Sequence, residues 1–150
     1  MTIAATALAI STATAQSPHF VGAVTCDKSL SGLSCSGKVA GLGSSPTAVF
    51  VTASSVEAEY VCVNRGNNIA PGQGTEHQNV TGPVQNISPR NGQITFRNVL
   101  LPAPETPSAG EVCPNGNWTV RLLHLTFNDV AVHVVQGDTH LIKDLGDIDP

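Results

Sequence analysis

The sequence has 150 residues, of which 12% are charged and 41% are hydrophobic, and its formal net charge is −4 at pH 7. The seven lysines and arginines are scattered along the chain. Because no basic cluster is present to neutralise phosphates, we do not expect nucleic-acid binding. No apolar run reaches the roughly 18 to 20 residues of a membrane-spanning helix, and the length is typical of one domain.

The first 17 residues have features of an export signal. Residues 3–10 are a short apolar stretch, and Ala13-Thr14-Ala15 matches an A-x-A cleavage pattern. The basic segment that normally precedes such a stretch is missing, so an ordered N-terminal strand or helix is the alternative. We expect residues 1–17 to be an export signal remnant and residues 18–150 to form a single domain.

The rest of the chain favours strands over helices. It is rich in Val, Thr, Ser and Ala, and the sequence contains 14 glycines and 10 prolines that interrupt these residues. No helical periodicity is evident after residue 17. Strands are predicted over residues 19–26, 33–40, 47–53, 56–63, 78–88 and 93–101, of which 78–88 is weak and is broken by Gly82-Pro83. A Pro-rich crossover over residues 102–110, a short edge strand over 139–143 and a loose acidic tail are also predicted.

The strongest pattern in the chain is WTVRLLHLTFNDVAVHVV, residues 118–135. Asn128 and Asp129 tolerate the left-handed conformations of a two-residue hairpin loop, so this stretch is predicted to be a β-hairpin. One face of that hairpin would be apolar. Its opposed pairs would be Leu123 with Val134, Leu125 with Val132, and Phe127 with Val130.

Together these segments predict an all-β fold. We expect a two-sheet Greek-key (immunoglobulin-like) sandwich of about seven to nine short antiparallel strands, with a barrel as the alternative. The earlier strands would pack on the apolar face of the 118–135 hairpin.

The four cysteines fit two disulfides and an oxidising compartment, with four buried free thiols as the alternative. Cys26 and Cys35 flank a predicted turn, which leaves Cys62 and Cys113 to form the second pair. We therefore expect a secreted, extracellular protein.

Two stretches resemble small exported β-sandwich proteins of actinobacterial type, a group of uncharacterised function. They are LSCSGKVAGLG, residues 33–43, and AEYVCVNRGNN, residues 58–68, with APGQ close by at 70–73. The resemblance implies export, a β-sandwich and a Cys62–Cys113 bridge, and it implies no activity. The missing basic segment before the apolar stretch departs from a normal exported precursor.

The predicted hairpin places His124 opposite His133. Directly opposed residues have Cβ atoms about 4.5 to 5.5 Å apart, so two imidazoles there would be able to share zinc or copper. His140 or His19 would have to supply a third ligand. The alternative is a solvent-facing polar pair, since two ligands alone bind a metal weakly.

No catalytic signature stands out. The chain has no G-x-S-x-G sequence and no Ser or Cys in a recognised nucleophile elbow, so we expect a protein that is not an enzyme and has no cofactor. Residues 64–74 are predicted to be a long irregular connection, and such loops often carry function on β scaffolds. The predicted contact residues are Asn64, Arg65, Asn67 and Asn68.

The leading functional hypothesis is a secreted, disulfide-stabilised binding or assembly module. It would bind a protein or surface partner, or associate with itself through edge strands. One alternative is a small-molecule carrier with a cavity between the sheets, which the low aromatic content of 4% disfavours. The other is weak metal binding through His124 and His133.

Overall fold

A computed structural model describes residues 17–149 of the chain. The predicted export signal lies outside these residues, apart from Ser17. Residues 17–149 form ten strands and one short helix. The strands are β1 His19–Phe20, β2 Thr25–Ser29, β3 Gly32–Ala40, β4 Thr47–Val63, β5 Ile69–Pro71, β6 Thr75–Thr81, β7 Gln85–Ile87, β8 Ile94–Pro102, β9 Thr119–Gln136 and β10 Thr139–Ile148, and the helix is α1 Ala109–Val112.

The strands form two antiparallel sheets, as predicted. In the first sheet β3 is central, with β1 and β2 along one edge and β8 along the other. In the second sheet the order is β10-β9-β4, and β7, β6 and β5 pair in turn with the remaining edge of β4. The all-β prediction is confirmed, and the Greek-key or immunoglobulin-like connectivity stays a prediction.

The predicted hairpin at Asn128-Asp129 is wrong. Strand β9 continues through these two residues and pairs with β4 on both sides of them, for example Val132 with Val51 and Phe127 with Val56. Asp129 does adopt a left-handed conformation, with φ of 49°. A two-residue reversal of type I′ needs positive φ at both central residues. Asn128 is not among the residues with positive φ, so the chain bends here without turning back.

The bend extends across the second sheet. On β9 the buried residues change parity between Phe127 and Val130, and on β4 they do so between Ala53 and Val56. Gly146 of β10, which pairs with Val130, has φ of 70°. The predicted strands 47–53 and 56–63 are one 17-residue strand, and the break in its alternation lies at the point where the prediction separates them.

Side chains from both sheets fill the layer between them. The largest fully buried ones include Leu33, Phe96 and Leu101 from the first sheet and Leu125 and Phe127 from the second. They belong to one apolar cluster, as expected for two sheets packed face to face. The carrier hypothesis required a large cavity in this layer, and the layer is instead occupied by this cluster.

Both predicted disulfides are confirmed. Cys26–Cys35 joins directly opposed residues of β2 and β3. Cys62–Cys113 joins the end of β4 to the residue that follows α1.

Several segments differ from the sequence predictions. The predicted strand 19–26 is divided between β1 and β2, the predicted strand 78–88 between β6 and β7, and the predicted irregular connection 64–74 contains β5. The crossover contains the one-turn helix α1, in which the backbone N–H of Ser108 donates to Oε2 of Glu111. Such a turn is too short for its periodicity to be visible in the sequence. Strand β10 extends to Ile148, so the acidic tail is paired with β9 through most of its length and is not loose. Between residues 17 and 149, no helix combines the length and hydrophobicity required to cross a membrane.

Candidate functional site

An open pocket of about 960 Å³ lies at one end of the second sheet, where β4 ends and β9 begins. These two strand ends are neighbours because Cys62 pairs with Val120 and Val63 with Thr119. We call this site the end pocket. It is lined by Val63, Asn64, Arg65, Gly66, Asn67, Asn115, Gly116, Asn117, Trp118, Thr119 and Arg121.

Three of the four predicted contact residues line the end pocket, namely Asn64, Arg65 and Asn67. The fourth, Asn68, closes the same loop through its backbone. Its N–H donates to Oδ1 of Asn64 at 2.9 Å, and its carbonyl accepts from the N–H of Asn64 at 3.1 Å. The predicted contact loop is therefore one wall of a pocket.

Asn64 fixes the shape of this loop. Its Oδ1 accepts from the backbone N–H groups of Gly66 and Asn68, at 3.0 and 2.9 Å. Its carbonyl accepts from the N–H of Asn67, which has a left-handed φ of 59°. Asparagine favours both features, because its short amide can bond to its own backbone neighbours and it tolerates positive φ. The loop is thus ordered by bonds within itself.

The opposite wall comes from the segment between α1 and β9. Here Oδ1 of Asn115 accepts from the N–H of Asn117 at 2.9 Å. Upstream, the N–H of Gln73 donates to the carbonyl of Val112 at 2.9 Å. The Cys62–Cys113 disulfide links the two walls covalently.

Sequence reasoning missed the 115–121 wall, because residues 118–121 belong to the predicted hairpin and residues 115–117 carry no functional signal of their own. A usable signal was present nonetheless. Asn64 and Asn115 each stand two positions after one cysteine of the second predicted pair. Disulfide-bonded residues have Cα atoms about 4.4 to 6.8 Å apart, so the two asparagine-rich segments had to leave the bridge together.

The end pocket is cationic and polar in a chain of net charge −4. Arg65 and Arg121 line it, and no Asp or Glu is among its lining residues. Trp118, partly buried, adds an aromatic surface, and four asparagines add amide donors and acceptors. The lining also contains no His, Cys or Ser.

The structure does not bring His124 and His133 together. They lie on the same strand, and their separation is roughly 30 Å at about 3.3 Å of rise per residue. Nε2 of His124 lies 3.0 Å from Oδ1 of Asp149, at the end of the sheet away from His133. His19 is on β1, in the other sheet. The shared site predicted for His124 and His133 is therefore wrong, because it depended on the hairpin.

His133 has a different histidine neighbour. Its Nδ1 lies 2.9 Å from Nε2 of His140, on the adjacent strand β10. Its Nε2 lies 2.7 Å from Oγ1 of Thr52, and its ring stacks on Phe50 with centroids 4.7 Å apart. The pKa of His133 is lowered, chiefly by burial and then by His140, while Asp144 partly opposes the shift.

Within residues 17–149, no group of three or more His, Cys, Asp or Glu side chains is placed to hold a metal ion. No family model, curated protein or solved structure matches the chain. The fold and the site therefore define the class: an all-β, two-sheet protein with two disulfides and a polar, cationic pocket at one end.

Proposed function

We propose that this protein is an extracellular, non-catalytic binding module whose ligand is an acidic polysaccharide held in the end pocket. One observation carries the proposal. The predicted contact loop and residues 115–121 meet in a single pocket that contains two arginines, a tryptophan and four asparagines, without a carboxylate. Two disulfides in a chain of this size are typical of extracellular proteins and support the compartment.

The lining chemistry favours a carboxylated sugar. A guanidinium group presents paired N–H donors that match the two oxygens of a carboxylate. The flat face of Trp118 offers an apolar surface to one side of a sugar ring, while its indole N–H remains a donor. Asparagine amides both donate and accept, as sugar hydroxyls do.

Recognition by loops is favoured over strand addition or self-assembly, because both long sheet edges carry features that oppose pairing. The outer edge strand β10 has exposed Lys143 and Asp144 and two register irregularities. The edge strand β8 has a register shift near Asn98, whose φ is 52°, and it ends at Pro102. Charges, bulges and prolines on edge strands all hinder the docking of another strand.

Calorimetric titration with an oligogalacturonate and with a neutral maltooligosaccharide of equal length tests the proposal. We expect binding of the uronate, weakened by salt, and much weaker binding of the neutral sugar. Arg121→Ala and Trp118→Ala should each weaken uronate binding by about tenfold or more, in the range of an interface anchor residue. Arg97→Ala, an exposed arginine on β8 outside the pocket, is the matched control and should bind normally.

Equal loss of affinity in the Arg97 control and the Arg121 variant would show nonspecific charge attraction and reject the pocket as the site. Binding of poly-glutamate as tight as that of the uronate would reject a sugar ligand in favour of an acidic peptide.

A further inference from the structure

We propose that His133 and His140 form a copper(II) site on the outer face of the second sheet. This site lies on β9 and β10, away from the end pocket, and does not depend on the function proposed for that pocket. The register of β10 on β9 places His140 near His133: His133 is opposite Ile142, and His140 is opposite Val135. Side chains alternate between faces, so the two histidines share one face.

The spacing of the two nitrogens matches a cis pair of copper ligands. Nδ1 of His133 and Nε2 of His140 are 2.9 Å apart. With metal–nitrogen distances of about 2.0 to 2.1 Å, this separation corresponds to an N–metal–N angle of about 90°. That angle is the cis angle of the square-planar or tetragonal geometry of copper(II). A tetrahedral zinc ion would need the nitrogens about 3.3 Å apart.

The contacts around His133 fix the orientation of its ring, as is usual for a histidine that binds a metal. When Nε2–H of His133 donates to Oγ1 of Thr52, 2.7 Å away, Nδ1 is unprotonated and accepts a hydrogen bond from Nε2–H of His140 at 2.9 Å. Copper binding between the two nitrogens requires the Nδ1–H tautomer of His140, in which the Nε2 lone pair is free. Phe50 stacks on the same ring with an interplanar angle of 2°, which fixes its plane. Hydrogen bonds to the second ring nitrogen orient ligating histidines in this way.

The site is open to an incoming ion. His140 is exposed on an edge strand, and His133 is half-buried beside it. Asp144 lies on the same strand and face as His140, so its negative charge also favours a cation. With two protein nitrogens, water completes the copper coordination. Zinc, which usually takes at least three protein ligands, should bind more weakly.

Titration of the untagged protein with copper(II), followed by calorimetry and electron paramagnetic resonance, tests the proposal. We expect one copper ion per chain and a spectrum with hyperfine structure from two nitrogens. His140→Ala changes an exposed residue and should preserve the fold. It should raise the copper Kd by at least about tenfold and abolish the two-nitrogen pattern. His77→Ala removes an exposed histidine on β6 and should leave both readouts unchanged.

Thr52→Val tests whether Thr52 orients the ligand His133 without itself binding the metal. It should raise the Kd by about tenfold, the lower end of the effect of an outer partner, while the two-nitrogen spectrum persists. Zinc should bind at least about tenfold more weakly than copper. Stoichiometric binding that His140→Ala leaves intact would overturn the site, as would the absence of stoichiometric binding or an equal loss of binding in the His77 control.

Discussion

The Ser54 hydroxyl donates a hydrogen bond to Oδ2 of Asp129, 2.8 Å away, where β4 and β9 both change the face that carries their buried residues. The same hydroxyl lies 3.2 Å from the carbonyl of Asn128. Two long strands thus bend at the same level and are joined there by a polar contact. The local sequence predicts a turn here because Asn and Asp favour left-handed conformations, which Asp129 adopts within a strand that continues.

The left-handed backbone at Asp129 sets a stability test. Asp129→Val should lower the free energy of unfolding by about 1 to 3 kcal/mol, because a β-branched residue at positive φ is strained. Asp129→Gly should cost less, since glycine adopts this conformation freely and only the hydrogen bond with Ser54 is lost. Urea denaturation measures both values. Equal destabilisation by the two substitutions would show that backbone conformation is not the dominant effect.

The two disulfides should contribute unequally to stability. Replacement of Cys62 and Cys113 by alanine should remove up to about 4 kcal/mol, whereas replacement of Cys26 and Cys35 should remove about 2.5 to 3 kcal/mol. The difference follows from the sequence separations of 51 and 9 residues, because a longer closed loop restricts the unfolded chain more. Urea denaturation of the two double variants provides the comparison. A larger loss for the Cys26–Cys35 pair would contradict this explanation.

Glycine is required at position 82, because the backbone there lies in close contact with β8. It is buried, its N–H donates to the carbonyl of Val51 at 2.9 Å, and a Cβ there would collide with the carbonyl oxygen of Leu100. Gly82→Ala should therefore destabilise the protein by about 1 to 3 kcal/mol. Gly110→Ala is the control, because a Cβ on that glycine of α1 meets no atom within 4 Å. It should be neutral or stabilise by up to about 1 kcal/mol.

Thermal denaturation ranks these two glycine variants directly. A Gly82→Ala protein as stable as the parent would mean that the β7 and β8 region relaxes more easily than its close packing implies.

Stability should fall on acidification through the His133 side chain. Its pKa in the folded protein is below the ordinary value of 6.5, mainly because burial disfavours the charged ring. The unfolded chain therefore binds more protons near and below that pH, and protonation favours unfolding. The stabilisation is fully present above the ordinary pKa and is lost as the pH falls through the lowered value.

Urea denaturation between pH 8 and pH 5 tests this effect, with His133→Gln as the comparison. The variant should show a shallower loss of stability over the acidic part of this range. A direct check is the NMR titration of the His133 ring, whose midpoint should lie below 6.5. A midpoint at or above that value would contradict the prediction.

Much of the fold was predictable because local alternation reports burial. Strand β3 was predicted over 33–40 and spans Gly32–Ala40, and the predicted strand 93–101 corresponds to β8 at Ile94–Pro102. The Cys26–Cys35 bridge followed from a short hairpin, which is a local feature. The contact residues Asn64, Arg65 and Asn67 were identified as part of an irregular loop, and the structure supplies the pocket that they line.

The alternation of residue types is enough to predict most of the extended segments, and a short hairpin is enough to pair Cys26 with Cys35, because both properties depend on nearby residues. Cys62 and Cys113 are 51 residues apart and follow only as the remaining pair. Asn128 and Asp129 continue a strand because pairing with β4 along both halves of β9 outweighs their local turn preference. The same long-range pairing places His133 beside His140 and far from His124. Strand register is set by contacts between residues far apart in the chain, and no local pattern encodes them.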